Sequence, residues 1–248
     1  MTIHNTRLLA LLAIACAALS ACGDDESSTF VPTVNVRPAY LGAISTLAYD
    51  GVTDDLLTGG LGWDGLQSAT LPPVSAVPTS MELRRRAIYN NYRALSDMTA
   101  NGGYGRLFGP NVTVDGVVSS TAAGAGKIAG TEHIAYVLDS TGKAAATVMV
   151  QVPTSFSLAA PCIVTATSSG SRGVYGAVSA AGEWGLKRGC AVAYTDKGTG
   201  NGGHELGSNT ITLINGVTAD ATTAANASLF TAALTDAERA AFNTAWPN

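Results

Sequence analysis

Charged side chains are scarce in this chain of 248 residues, and the shortage excludes one class of partner. Asp, Glu, Lys and Arg make up 13% of the residues, and the formal net charge is -4. Proteins that bind nucleic acid use an excess of Lys and Arg to neutralise phosphates. We therefore expect no nucleic-acid partner.

A hydrophobic run long enough to cross a membrane is also missing. The apolar stretch Leu8–Leu19 is short for a span, which needs about 20 residues, but with Arg7 before it the stretch is typical of an export signal. The following Leu-Ser-Ala-Cys sequence ends at Cys22 and resembles a bacterial lipobox, and a polar tether comes after it. We expect residues 1–22 to be a signal peptide and Cys22 to carry lipid. The alternative is an ordinary secretory cleavage site beside an incidental cysteine.

Either interpretation of the amino terminus gives an exported protein. The expected location is the periplasm, the outer membrane as a lipoprotein, or the extracellular medium. A membrane would be contacted only through the lipid on Cys22.

Cysteine and histidine are rare after the signal, which limits metal chemistry. Only Cys162 and Cys190 remain, and two cysteines without a histidine cluster fall short of a tetrahedral zinc site. We expect no metal and no other cofactor. Each cysteine opens a short apolar strand candidate, so parallel neighbouring strands would place the two side by side, where an exported protein can oxidise them. Two buried free thiols are the alternative.

Regular secondary structure is predicted from residue 80 onward. Residues 23–79 are expected to be a polar tether and an irregular region, because Gly and Pro interrupt them repeatedly. Residues 80–248 are expected to form the folded domain. Its first element, Ser80–Thr99, has the apolar spacing of an amphipathic surface helix, and we expect the run Arg84–Arg86 to face solvent, with anion binding as the alternative.

The pattern of strands and helices that follows predicts an α/β fold. Two strand-like runs flank a turn signal and form a hairpin; a strand, a helix and a strand then form a parallel βαβ crossover. An antiparallel hairpin leading into parallel βαβ units is how many α/β-hydrolase domains begin, so we expect the incomplete amino-terminal part of such a domain. The five predicted elements are Ile128–Leu138, Ala144–Val152, Cys162–Thr167, Val174–Lys187 and Cys190–Thr195.

Ligands of open α/β sheets bind at the carboxyl ends of the strands, which draws attention to the turn Ser168–Gly173. Ser171 lies on this Gly-rich turn directly after a strand, as the nucleophile of a hydrolase elbow does. The match is imperfect, because Ser169 stands where glycine is usual. Three roles stay open for the turn: it carries the nucleophile, it assists a nucleophile elsewhere, or it only connects a strand to a helix.

Two further side chains are candidates near this end of the sheet, and one other histidine is considered with them. Asp196 follows the second parallel strand, and we expect it to cap the N–H groups of its own loop rather than to serve in a catalytic triad. His204 follows a Gly-Gly pair and is expected to border the site, with a purely structural role as the alternative. His133 lies within a predicted strand and is expected to face solvent or to be satisfied there.

Three long ungapped runs in the second half of the chain are distinctive, namely Ser168–Ala177, Glu183–Lys187 and Gly189–Gly200. Together with Asp54–Leu57 and Gly203–Leu206, these runs resemble the D-(-)-3-hydroxybutyrate oligomer hydrolases. Members of that family are exported or periplasmic serine esterases that cleave short oligomers and dimers to 3-hydroxybutyrate. The resemblance implies a small hydroxyalkanoate ester as the substrate.

The resemblance also assigns roles to residues. It places Gly170, Ser171, Arg172 and Gly173 in the loop that supplies oxyanion-hole N–H groups and contacts substrate. Family members are considerably longer and carry the nucleophile in a later Ser-Asn-Gly-Gly motif, which this sequence lacks. We therefore expect the nucleophile beyond Asn248 and an inactive chain in isolation, with Ser171 retained as the one candidate within it.

Two other functions stay open at this point. One is a lipid-anchored periplasmic domain that ends at Asn248 and binds a small ligand or a partner. The other is a fragment of a hydrolase similar to tannases or feruloyl esterases, which share the arrangement of strand, Gly-rich turn and helix.

Overall fold

Five strands form the main sheet of the computed structural model, which describes residues 36–96, 109–118, 126–168, 172–198 and 202–247. Residues 39–248 belong to one unit. The strands of the main sheet are β1 Ser45–Tyr49, β2 Gly130–Leu138, β3 Ala144–Pro153, β4 Ile163–Thr167 and β5 Ala191–Thr195. The helices in this part are α1 Gly62–Gln67, α2 Ser80–Leu95 and α3 Glu183–Lys187.

The order of strands across the sheet is β1-β2-β3-β5-β4. Neighbours are antiparallel from β1 through β5, and only β4 and β5 run parallel. The hairpin of β2 and β3 and the parallel pair that follows are the elements that the sequence predicts, with bounds shifted by one or two residues. In the described part of the chain, β4 has β5 as its neighbour on one side and an open edge on the other.

A disulfide joins Cys162 to Cys190 at one end of the parallel pair. Ile163 lies opposite Ala191 in the register, so the two cysteines directly before them also lie opposite each other. Their Cα atoms are 4.6 Å apart. Each cysteine precedes its strand by one residue instead of opening it.

Residues 174–187, between β4 and β5, are helical but irregular, where the sequence predicts one helix over Val174–Lys187. This segment consists of a 3₁₀ turn, a π turn over Val178–Gly182 and the short α3. Two of its glycines lie against β5: a Cβ on Gly182 would come 2.4 Å from the Tyr194 hydroxyl, and one on Gly185 would come 2.7 Å from Val192. Glycine permits this close approach but has low helix propensity.

The residues before α2 correct the prediction of an irregular region up to residue 79. β1 pairs with β2 along its whole length, and Leu56 and Leu57 are fully buried in the core. The loop that carries them can be buried because the Asp55 carboxylate accepts hydrogen bonds from the N–H groups of Leu57, Thr58 and Gly60.

Capping boxes begin the two longest helices. The Thr79 hydroxyl accepts from the Glu82 N–H, and the Glu82 carboxylate accepts in return from the Thr79 N–H. This arrangement satisfies donors that a helix start leaves free. α2 ends at Leu95, short of the predicted Thr99, and residues 97–99 lie outside the described ones.

A small antiparallel sheet and two helices follow the main sheet. The strands are β6 His204–Glu205, β7 Thr210–Thr212 and β8 Thr218–Asp220, in that order across the sheet. The helices are α4 Ala221–Ala224 and α5 Asp236–Ala245, and a 3₁₀ turn over Ala225–Ala227 follows α4. The sequence from Thr235 to Glu238 is typical of a capping box, and in the structure Thr235 and Glu238 exchange its two hydrogen bonds at the start of α5. Within the described residues, no helix is both long enough and apolar enough to cross a membrane.

Candidate functional site

A cavity of about 540 Å³ lies between the antiparallel half of the main sheet and α2. β1 and β2 supply one wall through alternate residues, among them Leu47 and Ile134, and α2 supplies another through Leu83 and Arg84. The connection between β7 and β8 contributes a third wall, and its Gly216 contacts Leu83. The volume is within the range of about 300–1,000 Å³ that is common for small-molecule sites.

Arg84 lies at the buried side of this cavity, which corrects the prediction that the arginine run of α2 faces solvent. Its side chain donates to both carboxylate oxygens of Glu132, at 3.1 and 2.9 Å, and to Asp54 at 3.1 Å. Its two neighbours also bond inward, Arg85 to the Gly59 carbonyl and Arg86 to the Pro72 carbonyl. The three arginines therefore bond α2 to β2 and to neighbouring loops, and they do not form a solvent-facing surface.

Glu132 is the centre of a buried polar network. Besides Arg84, it accepts hydrogen bonds from the Tyr175 hydroxyl at 2.8 Å and from the Gln151 amide at 2.9 Å. Burial acts to raise the pKa of Glu132, but the charge of Arg84 and these hydrogen bonds outweigh burial and hold the pKa below its usual value. Glu132 is consequently ionised and fully paired, and it neutralises Arg84.

Asp54 and Tyr49 complete the surroundings of Arg84. Burial raises the pKa of Asp54 despite the attraction of Arg84, and one of its carboxylate oxygens has no hydrogen-bond partner in the described part of the chain. The Arg84 guanidinium lies 4.0 Å from the centre of the Tyr49 ring, within the range of a cation–π contact. Burial and the nearby Glu132 charge raise the pKa of the Tyr49 hydroxyl.

Sequence reasoning missed Glu132, although the sequence contains a signal for it. Glu132 is an acidic residue at an inward position of an otherwise mainly apolar strand, and such a residue needs a buried cation as partner. Arg84 is 48 residues away in the sequence, so nothing local identifies that partner.

The turn after β4 reaches the same cavity. Arg172 and Gly173 both line it, whereas Gly170 and Ser171 lie outside the described residues. Gly173 has φ 73° and ψ -177°, a conformation that other residues rarely adopt, and it directly precedes the helical segment. The N–H of Ser168 donates to the Thr195 carbonyl at 2.9 Å and so ties the start of the turn to the end of β5.

Asp196 and His204 do not line this cavity in the described part of the chain. The Asp196 carboxylate accepts from the N–H groups of Gly198 and Thr147, so it closes the loop after β5 and ties this loop to β3. The ring of His204 accepts from the Ala232 N–H at 3.2 Å and bonds Asn209 at 3.0 Å. An imidazole that accepts at Nδ1 carries its proton on Nε2, so both ring nitrogens of His204 hold local structure.

His133 is in a similar position on the main sheet. Its Nδ1 lies 2.9 Å from the Thr46 hydroxyl across the pairing of β1 with β2. This contact agrees with the prediction of a satisfied strand histidine. Neither described histidine is therefore bonded to a serine as the base of a nucleophile would be.

A second buried cluster lies beside another cavity, of about 490 Å³, at the carboxyl-terminal end of α3. Glu183 accepts from the Tyr92 hydroxyl and from the Lys187 ammonium, and Lys187 also donates to the carbonyls of Gly109 and Val112. These bonds use the donors of Lys187 and fix residues 109–112. Among the described residues, no three His, Cys, Asp or Glu side chains are grouped to hold a metal ion.

Comparison with known proteins gives a consistent family. A family model described as 3HB-oligomer hydrolase matches residues 18–248. A D-(-)-3-hydroxybutyrate oligomer hydrolase of Albidiferax ferrireducens is 58% identical over 246 residues, which are 99% of this chain and 34% of the relative. Relatives with the same name in Burkholderia cenocepacia and Azoarcus sp. are 60% and 56% identical; the matches cover 94% and 98% of this chain but 33% and 34% of those relatives.

The chain thus spans about a third of the length of the curated relatives it matches. No solved structure matches it.

Proposed function

The chain belongs to the 3HB-oligomer hydrolase family, and we propose that it is the amino-terminal portion of an exported serine esterase. The enzyme hydrolyses oligomers and dimers of 3-hydroxybutyrate to the monomer. The observation that carries this proposal is the turn at Arg172 and Gly173, which lies beside a cavity of about 540 Å³ in a chain of this family. Arg172 and Gly173 also belong to the turn on which the sequence resemblance depends.

The sheet supports an α/β-hydrolase-like fold for the complete enzyme. Such a domain has a mainly parallel sheet in which the nucleophile follows one strand and the oxyanion hole takes an N–H from the turn after an earlier one. β4 and β5 are parallel, and β4 has an open edge in the described part of the chain. We propose that a later strand pairs with this edge and carries the nucleophile next to the turn.

In this proposal, the turn stabilises the charge that develops during ester hydrolysis. Attack on the ester carbonyl places negative charge on its oxygen, and backbone N–H groups fixed beside that oxygen stabilise the charge. The acyl C–O bond then breaks, and water supplies the hydroxyl of the acid and the proton of the alcohol. Gly173 allows the chain to make the required sharp turn because its φ is positive.

The nucleophile is proposed to lie outside these 248 residues. His133 bonds Thr46, and His204 bonds Asn209 and Ala232, so both described histidines have partners other than serine. A serine without a base is a weak nucleophile. The chain alone should therefore bind substrate without turning it over.

The experiment compares the full-length protein with residues 23–248 on 3-hydroxybutyrate dimer, with release of monomer as the measured quantity. The full-length protein should release monomer, and the shorter chain should not exceed the buffer control. Release by residues 23–248 that is abolished in Ser171→Ala would make Ser171 the nucleophile. Release that survives this change would require another nucleophile within the chain.

Export and lipidation are proposed from the amino-terminal sequence, since residues 1–35 lie outside the described ones. An apolar run followed by Leu-Ser-Ala-Cys supports a lipid on Cys22. Labelled palmitate, supplied to a bacterial host, should enter the native protein and not its Cys22→Ser variant. An unlabelled native protein that begins at another residue would contradict the lipid anchor.

A further inference from the structure

Two arginines line the cavity, and they differ in the partners they already have. Arg84 is saturated, because Glu132 and Asp54 accept from its guanidinium and the Asp55 carbonyl takes a further bond. Arg172 is half-buried and has no ion pair within the described residues. Among the described residues, nothing neutralises Arg172, which therefore offers a positive charge to a ligand in this cavity.

The rest of the lining is suited to a small and largely apolar body. Leu47, Leu83, Ile134, Val174 and Ile214 all contribute to it. Glu132 is the carboxylate among the lining residues, and Arg84 neutralises it through two hydrogen bonds. An anionic ligand consequently meets no unpaired negative charge from the lining residues.

We propose that Arg172 binds the terminal carboxylate of a hydroxybutyrate oligomer, whose last unit occupies the cavity. The inference rests on the proposed function, because it assigns a position to that substrate. A hydroxybutyrate oligomer has one free carboxylate, a hydroxyl at its other end and a methyl group on every unit. Arg172 supplies the cation for the carboxylate, and the apolar walls accommodate the methyl group.

The position of Arg172 also determines which ester bond is cleaved. Arg172 directly precedes Gly173 in the turn that is proposed to hold the oxyanion. Only a few bonds separate the terminal carboxylate from the nearest ester carbonyl, so binding at Arg172 presents the last ester to the turn. Water then cleaves the acyl C–O bond. One 3-hydroxybutyrate leaves with the terminal carboxylate and a new hydroxyl, the shortened oligomer gains a carboxylate, and one proton is released.

The test compares 3-hydroxybutyrate dimer with its methyl ester, in which the terminal carboxylate is blocked, as substrates of the full-length protein. The quantity is the ratio of kcat/KM for the free acid to kcat/KM for the methyl ester. A charge-assisted hydrogen-bonded pair corresponds to roughly a tenfold to hundredfold preference for the acid. The ratio should fall close to one in Arg172→Gln and stay partly above one in Arg172→Lys, which keeps the charge.

The matched control is Arg188→Gln, which removes one positive charge from an exposed residue that contacts Trp184. This variant should leave the ratio unchanged. Near-UV circular dichroism checks that each variant is folded. A ratio near one in the wild type, or the same ratio in wild type and Arg172→Gln, would overturn the role of Arg172.

Failure of the proposed function has a different signature. The wild-type protein would then hydrolyse neither the acid nor the methyl ester. Calorimetric titration with 3-hydroxybutyrate decides the inference in that case: binding to the wild type that is lost in Arg172→Gln supports the carboxylate site, and absence of binding to the wild type overturns it.

Discussion

The guanidinium of Arg84 on α2 and the carboxylate of Glu132 on β2 form a buried two-bond ion pair, with N–O distances of 3.1 and 2.9 Å. The pair joins the helix to the sheet at the side of the candidate site. A buried ion pair is not by itself a large source of stability, because both charges lose their hydration. Removal of one partner is costly, since it leaves the other charge buried with too few partners.

We therefore expect Glu132→Gln to lower the free energy of unfolding by about 3 kcal/mol. The matched control is Asp236→Asn, which breaks the ion pair of Asp236 with Arg239 on the surface of α5. That change should cost less than about 1 kcal/mol, because exposed ion pairs contribute little. Urea denaturation measures both values, and equal losses would contradict the account of the buried pair.

The stability should also depend on pH through Glu132. Burial acts to raise its pKa, but Arg84 and the hydrogen bonds prevail, so the folded-state pKa lies below the unfolded value of about 4.3. The stabilisation is then fully present above about pH 4.3 and is lost as the pH falls through the folded-state pKa. Urea unfolding at a series of pH values should show a loss of stability on acidification that is steeper in the wild type than in Glu132→Gln.

Asp54 has the opposite effect on the pH dependence of stability, so its contribution must be separated from that of Glu132. Because burial raises its pKa, the protonated form of Asp54 favours the folded state at low pH. Arg84 bonds both carboxylates, so the difference between wild type and Glu132→Gln also contains any change in Asp54, and the same comparison in an Asp54→Asn background isolates Glu132. Parallel pH profiles for the two proteins would contradict the pKa assignment.

The disulfide between Cys162 and Cys190 should contribute to stability through the unfolded state. The cysteines are 28 residues apart in the sequence, and closing a loop of that size corresponds to roughly 3 to 4 kcal/mol in the chain-entropy model. The double variant Cys162→Ser, Cys190→Ser should lose about that amount in urea denaturation. Alkylation of exported protein with iodoacetamide, under denaturing and non-reducing conditions, should modify neither thiol; modification of both would contradict the bond.

Much of the sheet could be predicted from local sequence, whereas the interior of the site could not. β-branched runs and a turn signal identify β2 to β5, and their order identifies the parallel pair. Local patterns also give the capping box of α5. These features depend on residues close in sequence, for which spacing is a sufficient signal.

The features that were missed depend on partners far apart in the chain. Arg84 is charged, and its sequence gives no reason to expect burial. It is buried because Asp54 and Glu132 pair with it in the fold. β1 is short and mostly exposed, so its apolar pattern gives little signal. Residues 54–60 contain turn residues, so the burial of this loop has no periodic signal either. The irregular turns between β4 and β5 follow from close contacts of Gly182 and Gly185 with β5, which exist only after the sheet has formed.

The central claim is that the turn at Gly173 forms part of the esterase site of the full-length protein, and Gly173→Ala tests it most directly. The control is Gly142→Ala, at a glycine with a similar positive φ of 82° in the hairpin between β2 and β3, where nothing lies near an added Cβ. Both glycines have a positive φ, but Gly173, with ψ -177°, lies in a region that essentially only glycine adopts, so near-UV circular dichroism must first show that Gly173→Ala is folded. The quantity to measure is kcat for hydrolysis of 3-hydroxybutyrate dimer. The account predicts a loss of roughly 10²-fold or more for Gly173→Ala, as for the loss of an oxyanion donor, and little change for Gly142→Ala; equal kcat values in the two variants would contradict it.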